Sequence, residues 1–168
     1  MKILITESQY KLLTESIFSA FQDIDDETWE KAYIQRINRD RSDLLVKASL
    51  NPNFVFVLGK NMKHTSFGKQ GYCETNVYKF IKEKLRNGEN NFFPVGGFLF
   101  ENFFPIEHWW VYDNNSNTHI EVTPIEGNPI PCYAGIINFN INDEILNSDN
   151  VFDVEFFKGG NVYHQYFT

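Results

Sequence analysis

Along residues 1–52 apolar side chains return every three or four positions. Thr6 and Gln9 stand at capping-box spacing ahead of Tyr10, Leu12, Leu13, Ile17, Phe18 and Phe21, which predicts an amphipathic helix of about three to four turns. Asp25 or Asp26 can cap a second helix, in which Trp29, Tyr33, Ile37, Leu44 and Leu45 fall near helical spacing and the charges face outward. Asn51-Pro52-Asn53 ends it, because the residue before a proline is pushed out of the helical region.

Beyond Pro52 the apolar runs shorten and are broken by Gly, Asn and Pro. Residues 54–58 predict a strand and 59–71 a long loop. A helix is expected over 73–85, with Val77, Tyr78, Phe80, Ile81 and Leu85 facing inward and Asn87-Gly88 as its stop. The runs 93–100, 108–113, 118–123, 134–139, 151–157 and 162–167 predict strands of a largely antiparallel sheet. No low-complexity linker divides these parts. The expectation is one α+β domain over 1–168, a helical segment at 1–52 followed by a helix-plus-sheet unit at 53–168.

Composition narrows the function classes. A chain of 168 residues buries about 70% of its unfolded surface in a single core, so no metal or disulfide staple is needed. Hydrophobic residues at 42% and charged residues at 22% exclude wholesale disorder. The 17 phenylalanines supply more apolar bulk than the mean hydropathy suggests, some of it available to line a groove. A net charge of -7 argues against nucleic acid or an anionic membrane as the main partner. Residues 1–13 hold no apolar run long enough for a signal peptide, and nowhere do ~18 apolar residues occur together. A soluble, cytoplasmic protein is therefore expected, with Cys73 and Cys132 as free thiols. His64, His108, His119 and His164 show no paired ligand spacing and there is no Cys-x-x-Cys, so no metal is expected. Gly96-Gly97 and Gly159-Gly160 lack a phosphate-loop pattern and read as bends, leaving no cofactor either.

Chemistry gathers at Cys73. It follows Gln70-Gly71-Tyr72 where a loop runs into a helix, and unpaired amides with the positive end of the helix dipole favour a thiolate there. The bland alternative is a buried cysteine packing as a small hydrophobe. Cys132, in Pro129-Ile130-Pro131-Cys132 with no helix behind it, takes that structural reading. A thiol nucleophile needs a base and a group to orient the base. If Asp113 pairs with Thr118 across the 114–117 turn, Tyr112 meets His119, Trp110 meets Glu121, and His108 meets Thr123. Trp109, Val111, Ile120 and Val122 then form an apolar core face. His108, Trp110, Tyr112, His119, Glu121 and Thr123 share the other, where His108 and Glu121 are diagonal neighbours with β-carbons about 7–8 Å apart. Taken singly, His108 is a half-buried histidine and Glu121 a solvated strand residue; together with Cys73 they satisfy triad logic. His119 is the substitute base if the register differs, and Asp113 the alternative orienting group.

Gly71-Tyr72-Cys73 leading into a helix, then His108-Trp109-Trp110-Val111, then Ile120-Glu121-Val122-Thr123-Pro124, resembles the Cys, His-x-Trp and Asp-x-Thr blocks of the transglutaminase-like branch of papain-fold cysteine enzymes. Cys73 to Asn76, Gly96-Gly97 and Glu107 to Trp110 are similar to blocks of small bacterial and phage relatives, and the Ile-Thr-Glu-Ser-Gln start is similar to phage-encoded proteins. The resemblance covers about residues 70–124. It implies a papain-like fold in which the nucleophile's helix packs on an antiparallel sheet, with Cys73 as nucleophile, His108 as general base and acid, and Glu121 as third member. Glu121 departs from the usual aspartate by one methylene. For the oxyanion the backbone amide of Cys73 is one donor, and Gln70 is a second by analogy with the upstream amide of papain-like enzymes. Asn76 either joins them or ties the helix to a loop, and Trp110 can wall the cleft.

Two functions are compatible with these residues. One is a cysteine hydrolase or acyltransferase (peptidase, amidase, glutamine deamidase or transglutaminase-like) that forms a thioester on a protein or peptide substrate. The other is a non-catalytic papain-like scaffold, a phage or bacterial binding or virion protein whose phenylalanine pairs at 92–93, 103–104 and 156–157 engage a partner. Oligomeric state stays open.

Overall fold

The computed structural model describes residues 51–65, 67–101, 104–125 and 132–158; the expected helices of residues 1–50 and the strand at 162–167 lie outside them. An Asx turn opens the described fold, Asn53 N–H donating to the Asn51 carboxamide at 2.9 Å, and delivers the chain into β1 (Phe54–Leu58). The expected loop at 59–71 holds a 3-10 turn (Gly59–Asn61) and a two-residue strand, β2 (Lys63–His64). Helix α1 runs over Cys73–Arg86, with Glu74 in its first turn and Lys84 and Arg86 in its last, signs that suit its dipole. It stops at Asn87-Gly88, where Gly88 turns left-handed at φ 80°, as the sequence predicts.

Four strands follow: β3 (Phe92–Glu101), β4 (Phe104–Asp113), β5 (Thr118–Glu121) and β6 (Cys132–Ile137). With β1 and β2 they form one sheet in the order β1-β6-β3-β4-β5-β2. Every pairing is antiparallel except β2 with β5, which is parallel, so the sheet is mixed rather than antiparallel throughout. The molecule is α+β, as expected.

The run 151–157 is not a strand. It forms two 3-10 turns, Val151–Asp153 and Glu155–Phe157. Its buried residues are Val151, Val154, Phe156 and Phe157; they do not alternate as in a strand, and Val151, Val154 and Phe157 recur every third position, the period of a 3-10 turn. Asn150 and Asp153 close a capping box that starts the first turn. A short helix, α2 (Asn142–Asn147), precedes them and buries Ile145.

Both faces of the sheet are packed, where the sequence suggested one. On the first face α1, α2 and the 3-10 turns cover Trp109, Val111 and Val122 with Val77, Ile81, Ile145, Val154 and Phe157. On the second, Val57, Met62, Val95, Leu99, Trp110, Tyr133 and Ile137 form a smaller core. Gly135 makes that core possible, since a β-carbon on it would stand 2.6 Å from Trp110 Cη2 and 2.7 Å from the Gly96 carbonyl oxygen. Lys82, buried on α1, donates 2.9 Å to the Tyr78 hydroxyl and also to the Ser148 carbonyl, tying α1 to the end of α2.

Candidate active site

Cys73 is the first residue of α1, half-buried, and reached through a left-handed turn at Gly71 (φ 77°). A β-carbon disfavours that φ, which accounts for glycine two residues ahead of the thiol. Tyr72, the N-cap, contributes no side-chain cap, so the amides of the first turn have no side-chain acceptor from it. The loop is held by Asn76, whose Oδ1 accepts from Lys69 N–H at 3.2 Å while Nδ2 donates to the Lys69 carbonyl at 2.8 Å and to Thr123 Oγ1 at 3.1 Å. Both amide hydrogens are thereby used. Asn76 is a tie between helix, loop and β5 exit, not an oxyanion donor.

The β4–β5 register is the one expected: Asp113 opposite Thr118, Tyr112 opposite His119, Val111 opposite Ile120. It brings His108 and Glu121 together, with Nε2 donating to Oε2 at 2.7 Å. Glu121 is 1% exposed, and a carboxylate so deeply buried needs partners. Its Oε1 accepts from Thr123 N–H at 2.8 Å. Its backbone is pinned by β2, where His64 pairs with it and Thr65 N–H donates to its carbonyl at 2.9 Å.

His108 is 5% exposed. Burial by itself lowers its pKa, but hydrogen bonds and charge from Cys73 and Glu121 outweigh burial and raise it from 6.5 to about 9. The ring therefore carries its proton at neutral pH, between a sulfur on one side and a carboxylate on the other. Cys73 Sγ also lies 3.4 Å from Glu74 Oε2, so the thiol has a second acceptor beside the imidazole.

The remaining sequence candidates take other places. Trp110 is wholly buried in the second core, stacked on His108 with centroids 6.5 Å apart, and it does not line the cleft. Its Nε1 donates to His119 Nδ1 at 3.0 Å. That Nδ1 lone pair is already used, and burial lowers the pKa of His119 to about 4, which makes it a poor proton acceptor and disfavours it as a substitute base. Asp113 serves the turn instead, accepting from Asn91 Nδ2 at 2.6 Å, Ser116 Oγ at 2.6 Å and Asn115 N–H at 3.0 Å. Cys132 is fully buried in β6.

A cleft of about 320 Å³ opens over Cys73 and His108, lined also by Gln70, Gly71, Leu99, Ile106, Glu107, Thr123, Pro124 and Ile125. That is near the lower end of small-ligand sites and holds a side chain with its adjoining amide. The apolar wall of Leu99, Ile106 and Ile125 was not foreseen, since it joins three segments far apart in sequence. Tyr133, whose ring lies 6.1 Å from His108, was missed for the same reason: the β3–β6 pairing that places it has no local signal. Among the described residues no group of three His, Cys, Asp or Glu could hold a metal ion, and no helix is long and apolar enough to cross a membrane. No protein-family model matches this chain, and no curated protein or solved structure matches it.

Proposed function

We propose that the protein is a cysteine-dependent acyl-transfer enzyme, with Cys73 as nucleophile, His108 as general base and acid, and Glu121 as the group that orients His108, on a papain-like, transglutaminase-like scaffold. The observation that carries this reading is the buried His108, held between the Cys73 thiol and the Glu121 carboxylate and raised to about 9, beneath an open cleft. The scaffold reading is supported by a nucleophile at the start of a helix packed on a sheet, with histidine and carboxylate on the two strands of a hairpin that follows.

With Nε2 on Glu121, Nδ1 is the ring nitrogen left for the sulfur. At neutral pH His108 already holds the proton that the thiol has given up, and the Cys73 thiolate of this ion pair attacks an amide-type carbonyl in the cleft. The oxyanion meets the first-turn amide of Cys73 and the Gln70 side chain, which lines the cleft. His108 then protonates the departing amine, leaving a thioester on Cys73. Water resolves it in a peptidase, amidase or deamidase, and a second amine resolves it in a transferase. The substrate class is a protein or peptide, and a reducing, cytoplasmic setting suits a thiol nucleophile. The scaffold alternative relied on exposed phenylalanine pairs, yet Phe92, Phe156 and Phe157 are buried.

Alkylation by iodoacetamide tests the proposal. Cys73 is expected to label fast at about pH 6, to lose that rate on His108→Ala, and to leave Cys132 behind. Equal and slow labelling of both thiols up to about pH 8 overturns it.

A further inference from the structure

Tyr133 is a buried polar side chain that the proposed mechanism leaves unused. It lies on β6, opposite Leu99 of β3 and Val57 of β1, with no exposed surface. Its ring centroid is 5.5 Å from that of Trp110 and 6.1 Å from that of His108. The hydroxyl makes no hydrogen bond of good geometry among the described residues, and an unsatisfied buried hydroxyl is costly. The acceptor it faces is the Glu121 carboxylate; burial first, then the charge and hydrogen bonding of Glu121, push the phenol's pKa up.

Glu121 has capacity for that donor. Oε1 takes Thr123 N–H and Oε2 takes His108 Nε2, while a carboxylate offers about four lone-pair sites. It also has need of it, because a glutamate side chain has three rotatable bonds to hold in place. We propose that Tyr133 is a positioning residue, whose hydroxyl donates to the Glu121 carboxylate and confines that side chain to the rotamer that meets His108 Nε2. The inference rests on the acyl-transfer reading above and explains how the buried Glu121 carboxylate is held against His108.

The test removes only the hydroxyl. Tyr133→Phe is made in the native chain and in Glu121→Gln, and Cys73 labelling by iodoacetamide is timed in all four chains at about pH 7. In the native background the variant is expected to label about tenfold more slowly, and in the Glu121→Gln background to change the rate less than about twofold. Equal slowing in both backgrounds, or none in the native one, overturns the proposal. His108, followed by NMR, is expected to titrate below its native value of about 9 in Tyr133→Phe, a change that loss of packing alone does not produce. Urea unfolding of the same chains separates this proposal from the one it rests on. If native Cys73 labels no faster than the thiol of the unfolded chain, the acyl-transfer reading falls. The Tyr133–Glu121 bond is then judged by stability: non-additive losses uphold it and additive losses overturn it.

Discussion

Glu121→Gln removes one negative charge from beside His108 and keeps the side chain's length and shape. The distance between the ordinary histidine value of 6.5 and about 9 corresponds to about 3 kcal/mol in favour of the imidazolium. Burial opposes that charge, so Cys73 and Glu121 together must supply more than the net amount. With glutamine in place only the sulfur is left to hold the proton, and His108 is expected to titrate at least about one pH unit lower, a loss of more than about 1 kcal/mol. NMR of the imidazole protons reads this directly in both chains, and Cys73 labelling at about pH 7 is expected to slow at least tenfold alongside it. The raised value also makes His108 a source of stability, fully present below about 6.5 and lost as the pH climbs through about 9. A thiol that has handed its proton to His108 leaves the number of bound protons unchanged, so this slope is read in Cys73→Ala chains. There it amounts to less than about 3 kcal/mol and vanishes when Glu121→Gln is added. A native His108 titrating near 6.5, or one whose titration ignores Glu121→Gln, would refute the reasoning.

Asn76→Ala removes three hydrogen bonds that clamp the 69–71 loop, two of them to Lys69 and one to Thr123. A loss of about 2–3 kcal/mol in urea unfolding is expected, together with slower Cys73 labelling as the loop loosens. His119→Gln tests the choice of base: because His119 is held neutral down to about 4, labelling between about pH 5 and pH 8 is expected to stay within twofold of native. A hundredfold loss in that variant would move the base assignment from His108 to His119.

Where the sequence carried a local rule, the fold was legible. The 73–85 helix with its Asn87-Gly88 stop appears as Cys73–Arg86, and the 54–58 strand keeps its bounds. The Asp113–Thr118 pairing held because the turn is self-contained: Asp113 accepts from Asn115 and Ser116 within it. At 151–157 the aromatic and β-branched residues have high strand propensity, and the Asn150–Asp153 capping box overrode it. Two residues suffice for β2, too few to show any period, and its partner β5 lies some sixty positions on, so nothing local marks Lys63-His64 as a strand.

Strand parity sorted side chains correctly onto two faces and then misassigned the second one. A face holding two histidines and a glutamate reads as polar, and that suggested an open catalytic surface with Trp110 walling it. Trp110 and Tyr133 instead fill a second core, which roofs His108 and Glu121 and excludes water from their hydrogen bond. The difference is physical rather than cosmetic. A His–Glu pair in solvent is worth little, because water screens the charges and competes for the donors. Sealed beneath an indole and a phenol, Glu121 acts with the Cys73 sulfur to outweigh burial and raise the imidazole to about 9, which in the proposed mechanism keeps a proton ready for a leaving amine. Burial of both groups would be a net cost if either lacked its partner, so the aromatic layer and the pair depend on one another. Sequence parity places His108 and Glu121 side by side. The β3–β6 pairing, through Gly135 and Tyr133, is what makes their proximity chemically useful.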